Sequence, residues 1–228
     1  MESEEKVFKE NFDYEVVAMF ISEAIRVIEG LFGPAFTRMI SKYALEFQSE
    51  KTGENPPENI ENMDGAVKYM TECKDKYPRF YNSLIYGIAK AEKMFEGSTA
   101  SGAKNLAYNA IKKIIEESGI ADQLKGKNIN IYNALLDYVE AADIVKATTP
   151  QRIVKESENV IFQEMENCPW KDACKAMARD DITRMTGDKE CVVLIANSAG
   201  ISVVSGKSID YKLEKFDQPN CEGRIFEI

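Results

Sequence analysis

The chain has 228 residues, with 38 Asp and Glu against 29 Lys and Arg, a formal net charge of −9 and no histidine. That balance lacks the clustered Lys and Arg that neutralise phosphates or anionic headgroups, so neither nucleic acid nor an anionic membrane is an expected partner. With 44% apolar and 29% charged residues the chain can fold around a core of its own.

No uncharged run approaches the roughly 18 residues of a spanning helix, so no membrane insertion is expected. The opening MESEEKVFKENFDYE is acidic and polar, without the basic start and apolar centre of a signal peptide. The cysteine count is five, an odd number. Together these point to a reducing cytoplasm, where thiols serve metal or redox chemistry more often than disulfides.

From Asp13, a suitable N-cap, Val16, Phe20, Ile21, Ala24, Ile25 and Ile28 recur at helical spacing, which predicts an amphipathic helix over 14–30. Gly33-Pro34 breaks it and starts a second helix carrying Phe36, Met39, Ile40, Tyr43, Ala44 and Phe47 to about residue 50. So short a link predicts a helical hairpin with a broad apolar stripe. The segment KTGENPPENIEN reads as a loop and hinge, because two prolines remove donors and bias the preceding residue away from helix. The expected units are residues 1–60, the hairpin and linker, and residues 61–228, the body.

A helix is expected over 64–76, and another after Pro78, where Tyr77, Phe80, Tyr81 and Tyr86 crowd together. Such a stripe forms core or walls a ligand pocket, and both readings stay open. GSTASGA (97–103) lacks the Lys of a phosphate loop and reads as a turn in which Ser98 or Thr99 caps the next helix. That helix runs to Ser118 and ends at Gly119; after the turn KGKN another is expected over 130–146. Residues 151–166 change character, with β-branched residues on either side of SEN, and predict a hairpin. Helical period returns over 170–186, with Cys174 on the apolar face. SIDYKLEKF and RIFEI read as two paired strands. The fold class is therefore α+β: a helical N-terminal half and a small, mostly antiparallel sheet in the C-terminal half.

Four of the five cysteines, Cys168, Cys174, Cys191 and Cys221, sit in the last sixty-odd residues. Without histidine, a transition-metal site would draw on thiolates and carboxylates, and thiolates select zinc or an iron–sulfur cluster. The alternative is four small buried side chains with no ligand role.

The run Cys168-Pro169-Trp170, the lone Cys191 opening an apolar segment, SIDYKLEKF and the terminal CEGRIFEI resemble the tail of the 4-vinyl-reductase-like family, also called hydrocarbon-binding domains. Upstream, NPPENIENMDG and SLIYGIAKAEKMFEGSTASGAKNLAYNAI are similar to segments that precede the domain in longer members. The resemblance implies a ligand-binding α+β body shared with subunits of vesicle-tethering particles. It also implies an apolar pocket for an aromatic, isoprenoid or tetrapyrrole-like molecule, with Phe80, Tyr81, Tyr86, Tyr108 and Trp170 as ligand-facing residues. Sensor members hold zinc on three cysteines and a glutamate, the last two cysteines close in sequence. Only Cys221 of that terminal pair is present here. The implied set is then Cys191, Glu214, Asp217 and Cys221, or one recruiting Cys168 and Cys174; the thiolate-rich set is favoured by a borderline-soft ion. For the segment after Cys191 the resemblance implies a helix, whereas its β-branched residues favour strand.

Three further readings stand beside the binding module. An enzyme would be a reductase, or a metal-dependent hydrolase whose base is Glu214, Asp210 or Glu222. An interaction scaffold would dimerise through residues 14–50. A redox sensor would use two of the thiols reversibly.

Overall fold

The computed structural model describes residues 4–8, 14–58, 60, 62–96, 106–124, 130–142, 151–182, 189–217 and 220–228. Strand β1 (Glu5–Phe8) precedes helices α1 (Tyr14–Phe32), α2 (Pro34–Thr52), α3 (Met63–Glu72), α4 (Tyr81–Glu96), α5 (Leu106–Glu117), α6 (Ile120–Leu124) and α7 (Ile131–Ala141). Then follow β2 (Gln151–Ser157), β3 (Val160–Met165), α8 (Lys171–Arg179), α9 (Val192–Ser205), β4 (Ile209–Asp217) and β5 (Asn220–Glu227). This is the expected α+β arrangement, helices first and a small antiparallel sheet after them.

The sheet runs β1-β2-β3-β5-β4, every pair antiparallel. The hairpin expected over 151–166 is β2 and β3, and the two terminal strands pair as read. The edge strand β1 was not expected, because Glu-Lys-Val-Phe is too short and carries no apolar alternation. It forms because β2 presents a free edge to it, Lys6 lying opposite Ile153. Inward positions alternate along β2 to β5: Ile153, Ile161, Met165, Ile225, Ile209 and Tyr211 are all buried.

Helix α9 is the central element. It packs on α5 and α7 with one side and on β4 and β5 with the other, which is why it is apolar around nearly its whole circumference. Its β-branched residues favour strand, yet the local ends are helical. Cys191 is extended at the N-cap, and Gly206, at φ 71°, takes the left-handed C-cap conformation with its N–H returned to Ser202 O at 2.9 Å. Small residues let neighbours approach: a Cβ on Gly200 would lie 2.3 Å from the Tyr138 ring.

Three helices end earlier than the periodicity suggests. Helix α3 stops at Glu72, and α7 at Ala141, residues 143–150 lying outside the described chain. Helix α8 stops at Arg179, where Asp181 adopts φ 54° and the Ile182 N–H reaches back to Met177 O at 2.8 Å, closing the helix end. Met185 and the turns at 97–103 and 125–128, including the expected caps Ser98 and Thr99, also lie outside the described residues.

The N-terminal hairpin is built into the body. Val17, Ile21, Ile25 and Ile28 of α1 and Phe36, Ile40, Ala44 and Phe47 of α2 join one core with Tyr81, Leu84 and Ile88 of α4. The apolar stripe read as a dimer surface is therefore buried inside the protomer. Leu31, Phe32 and Met94 remain exposed.

Candidate functional site

The four C-terminal thiols come from four separate stretches and meet in one buried region. Cys168 lies in the loop after β3, shaped by Asn167 at φ 48°, whose N–H is held by Asn220 Oδ1 at 3.0 Å. Cys174 is on the buried face of α8, Cys191 caps α9, and Cys221 is on β5 opposite Met165 and Phe216. All are thiols, and all four are buried. Cys73 is at the C-cap of α3, outside this group.

Burial dominates their chemistry. It pushes the Cys191 thiol up to about 12 and raises Cys168, Cys174 and Cys221 as well. Mutual repulsion adds to it: Cys191 and Cys221 raise Cys168, and all three raise Cys174. Opposing this, backbone N–H groups favour the charged form at each sulfur: Trp170 at Cys168, Val192 at Cys174, Val193 and Leu194 at Cys191, and Asp217 at Cys221. The N-terminus of α9 supplies three of these groups, where its dipole also favours negative charge, although Cys191 does not close a full side-chain cap.

A donor set of four thiolates facing backbone N–H groups suits zinc or iron. Its spacing is wider than a coordination shell. Zinc–sulfur bonds of about 2.3 Å place thiolates roughly 3.8 Å apart, and among the described residues no three Cys, Asp or Glu stand close enough to hold an ion.

The carboxylates read as ligands or as bases have partners of their own, Asp217 excepted. Glu214 pairs with Arg224, which also holds Glu156, and Glu222 pairs with Lys215 at 2.7 Å. Asp210 accepts the Tyr211 N–H at 2.8 Å. Asp217 and Glu222 lie near Cys221 and Glu190 near Cys191, and the charge of each raises its thiol.

The aromatic candidates are packed against protein. Phe80 meets Tyr81 edge-on at 6.4 Å, and Tyr81 meets Trp170 at 5.1 Å and 84°. The Tyr81 hydroxyl donates to Pro169 O at 3.2 Å. Tyr86 stacks on Phe47 at 4.9 Å and donates to Asp180, whose carboxyl Arg179 and Lys90 hold well below the usual carboxylate range. Tyr108 is half-buried beside Ser202, and burial raises its phenol. None of the five borders the open groove of about 780 Å³ lined by Arg38, Ser41, Lys42, Leu45 and Ile60.

Sequence reading missed a second polar group in the interior: Gln151 on β2, Gln163 on β3, and Asn197 and Ser198 on α9, each 3% exposed or less. A signal was available. In VIFQEM, Gln163 shares the inward alternation with Ile161 and Met165, so a strand with that face buried must also bury a carboxamide.

No family model matches the chain, and no curated protein matches it. Solved H-NOX structures align over most of its length at low similarity. One, from a study of heme distortion in the H-NOX family, is 12% identical, covering 91% of this chain and 93% of its own, with a TM-score of 0.38. An oxygen-binding H-NOX domain related to soluble guanylate cyclases, in its oxygen complex, is 12% identical over 92% and 94%, with a TM-score of 0.30. A mutant of T. tengcongensis H-NOX is 14% identical over 92% and 96%, with a TM-score of 0.29. Among the described residues no helix is long and apolar enough to cross a membrane.

Proposed function

We propose that the chain is a small-molecule-binding module of the 4-vinyl-reductase-like kind, with a zinc ion on Cys168, Cys174, Cys191 and Cys221 bracing its C-terminal part. The observation that supports the zinc assignment is four buried thiols from separate stretches whose charges act on one another, two of them, Cys174 and Cys191, at the N-terminus of α9. The apolar ligand rests on the family resemblance and on an interior with few polar positions. A heme in this chain would need an axial cysteine, tyrosine or methionine, since there is no histidine.

The structure weighs against the other chemistries. Buried thiols with raised pKa are poor nucleophiles, which disfavours rapid redox exchange. Glu214 and Glu222 are held in ion pairs with Arg224 and Lys215, which makes them weak candidates for a base.

The test is metal analysis of protein purified without oxygen, together with Cys191→Ser. Zinc near one ion per chain, lost in the variant along with several kcal/mol of stability, is expected, because ion binding contributes directly to folding. Absence of metal with titratable thiols on denaturation returns the cysteines to simple core residues. pH separates the two states by sign. Without the ion, raised thiol pKa values leave stability intact below about 8.5, the unfolded value, and stability falls as pH rises from there towards 12, the folded value of Cys191. With the ion, protons compete for the thiolates and stability falls on acidification.

A further inference from the structure

The interior between the sheet and α9 holds a carboxamide cluster that the protein does not complete. Gln151 Oε1 accepts from Gln163 Nε2 and from Asn197 Nδ2, the latter at 3.1 Å. Gln151 Nε2, Gln163 Oε1, Asn197 Oδ1 and Ser198 Oγ are buried without any hydrogen-bond partner. Buried polar atoms are otherwise almost always paired, so three orphans in one cluster, with a fourth on the next residue of α9, are a feature to be explained.

The deficit does not depend on how the amides are oriented. Turning all three makes Gln151 the donor to Gln163 and Asn197, and leaves one acceptor and two amino groups unsatisfied in place of one donor and two carbonyls. In either arrangement the outer pair offers one kind of group, the centre the other, and Ser198 a hydroxyl that serves as both. The backbone sets this geometry by close approach. Gln163 lies opposite Gly223, where a Cβ would come within 2.5 Å of Leu194 Cδ1 and 2.7 Å of Lys212 O. Glycine there lets α9 settle onto the sheet and brings Asn197 over Gln151.

We infer that Gln151, Gln163, Asn197 and Ser198 are the polar anchor of an interior ligand site, taking an uncharged, mainly apolar molecule with one hydroxyl or carbonyl head. No charged side chain is among the buried polar residues, so an ionic head would be left uncompensated. A neutral head that both donates and accepts answers the deficit in either amide orientation. The inference deepens the binding reading above, and rests on it.

The probes are phenol and toluene, equal in size and differing in the head group, titrated into the full-length protein. Side-chain amide resonances of Gln151, Gln163 and Asn197 and the melting temperature are followed. Phenol is expected to shift these resonances and raise the melting temperature, toluene to leave the resonances in place, and Gln163→Met with Asn197→Leu to abolish the difference. Should the double variant not fold, Ser198→Ala is expected to weaken phenol binding several-fold. Equal stabilisation by both compounds without amide shifts overturns the anchor while leaving apolar binding intact. A response to neither, or a crystal structure with phenol showing ordered waters on all four groups, also overturns it. Zinc content, measured on the same samples, reports separately on the metal.

Discussion

Two buried carboxamide sites make opposite use of the same chemical group. At Asn82 on α4 both polar atoms are paired: Nδ2 donates to Arg79 O at 3.2 Å and Pro169 O at 3.1 Å, and Oδ1 accepts the Ala173 N–H at 3.0 Å. Tyr81 donates to the same Pro169 carbonyl, so one node ties α4 to the start of α8 beside Cys168. At Gln151, Gln163 and Asn197, three carboxamides share two hydrogen bonds and leave an atom each unpaired. The first site holds the fold together; the second leaves buried polar atoms unpaired, which costs stability and is the usual mark of a position kept for something other than packing.

The sharpest break in that contrast comes from removing each group. Asn82→Ala leaves Pro169 O with one fewer donor and the Ala173 N–H unpaired in the interior, and a loss of about 2–4 kcal/mol is expected in denaturant melts. Asn197→Leu removes an already half-satisfied group of similar size, and a change of no more than about 1 kcal/mol in either direction is expected. Equal losses at the two positions would mean that the α9 cluster is structural after all.

A smaller effect tests whether α9 is as tightly seated as the second site requires. Gly200→Ala pushes a methyl group into the Tyr138 ring, which is buried and has little room to retreat. A cost of about 1–3 kcal/mol is expected, visible in the melting temperature. A neutral result would show that α9 can shift, and that the carboxamides can re-pair.

The smallest effect concerns the periphery of the Asn82 region, where Asp180 closes α8 against α4. Hydrogen bonding from Arg179, Tyr86 and Lys90 lowers its pKa, so its contribution is present above the unfolded value of about 3.9 and is lost as pH falls below it towards the depressed folded value. Asp180→Asn should flatten the acid side of the stability profile and cost about 1 kcal/mol or less at neutral pH, because Arg179 is half exposed and solvent screens the pairing. An unchanged acid limb would assign acid sensitivity to other carboxylates.

Periodicity and punctuation determined much of this molecule in advance. Apolar spacing of three and four located the long helices, Gly33-Pro34 placed the break between α1 and α2, and alternation around SEN and in SIDYKLEKF located the strands, because each signal is local and survives outside its tertiary setting. Clustering in a histidine-free chain singled out Cys168, Cys174, Cys191 and Cys221, and the fold does bring them into one region. Tertiary structure alone decided the rest. Strand β1 exists because β2 offers an edge, and α9 is a helix, against its β-branched content, because burial on both sides outweighs a weak intrinsic preference. Tyr81 and Tyr86 became core residues through hydroxyl partners some ninety positions away in the chain, Pro169 and Asp180. Gln151, Gln163 and Asn197 became an incomplete cluster only when α9 descended onto the sheet. Whether a buried polar group is satisfied depends on what lies across the core from it, and that is a property of the packed molecule that no local stretch of sequence contains.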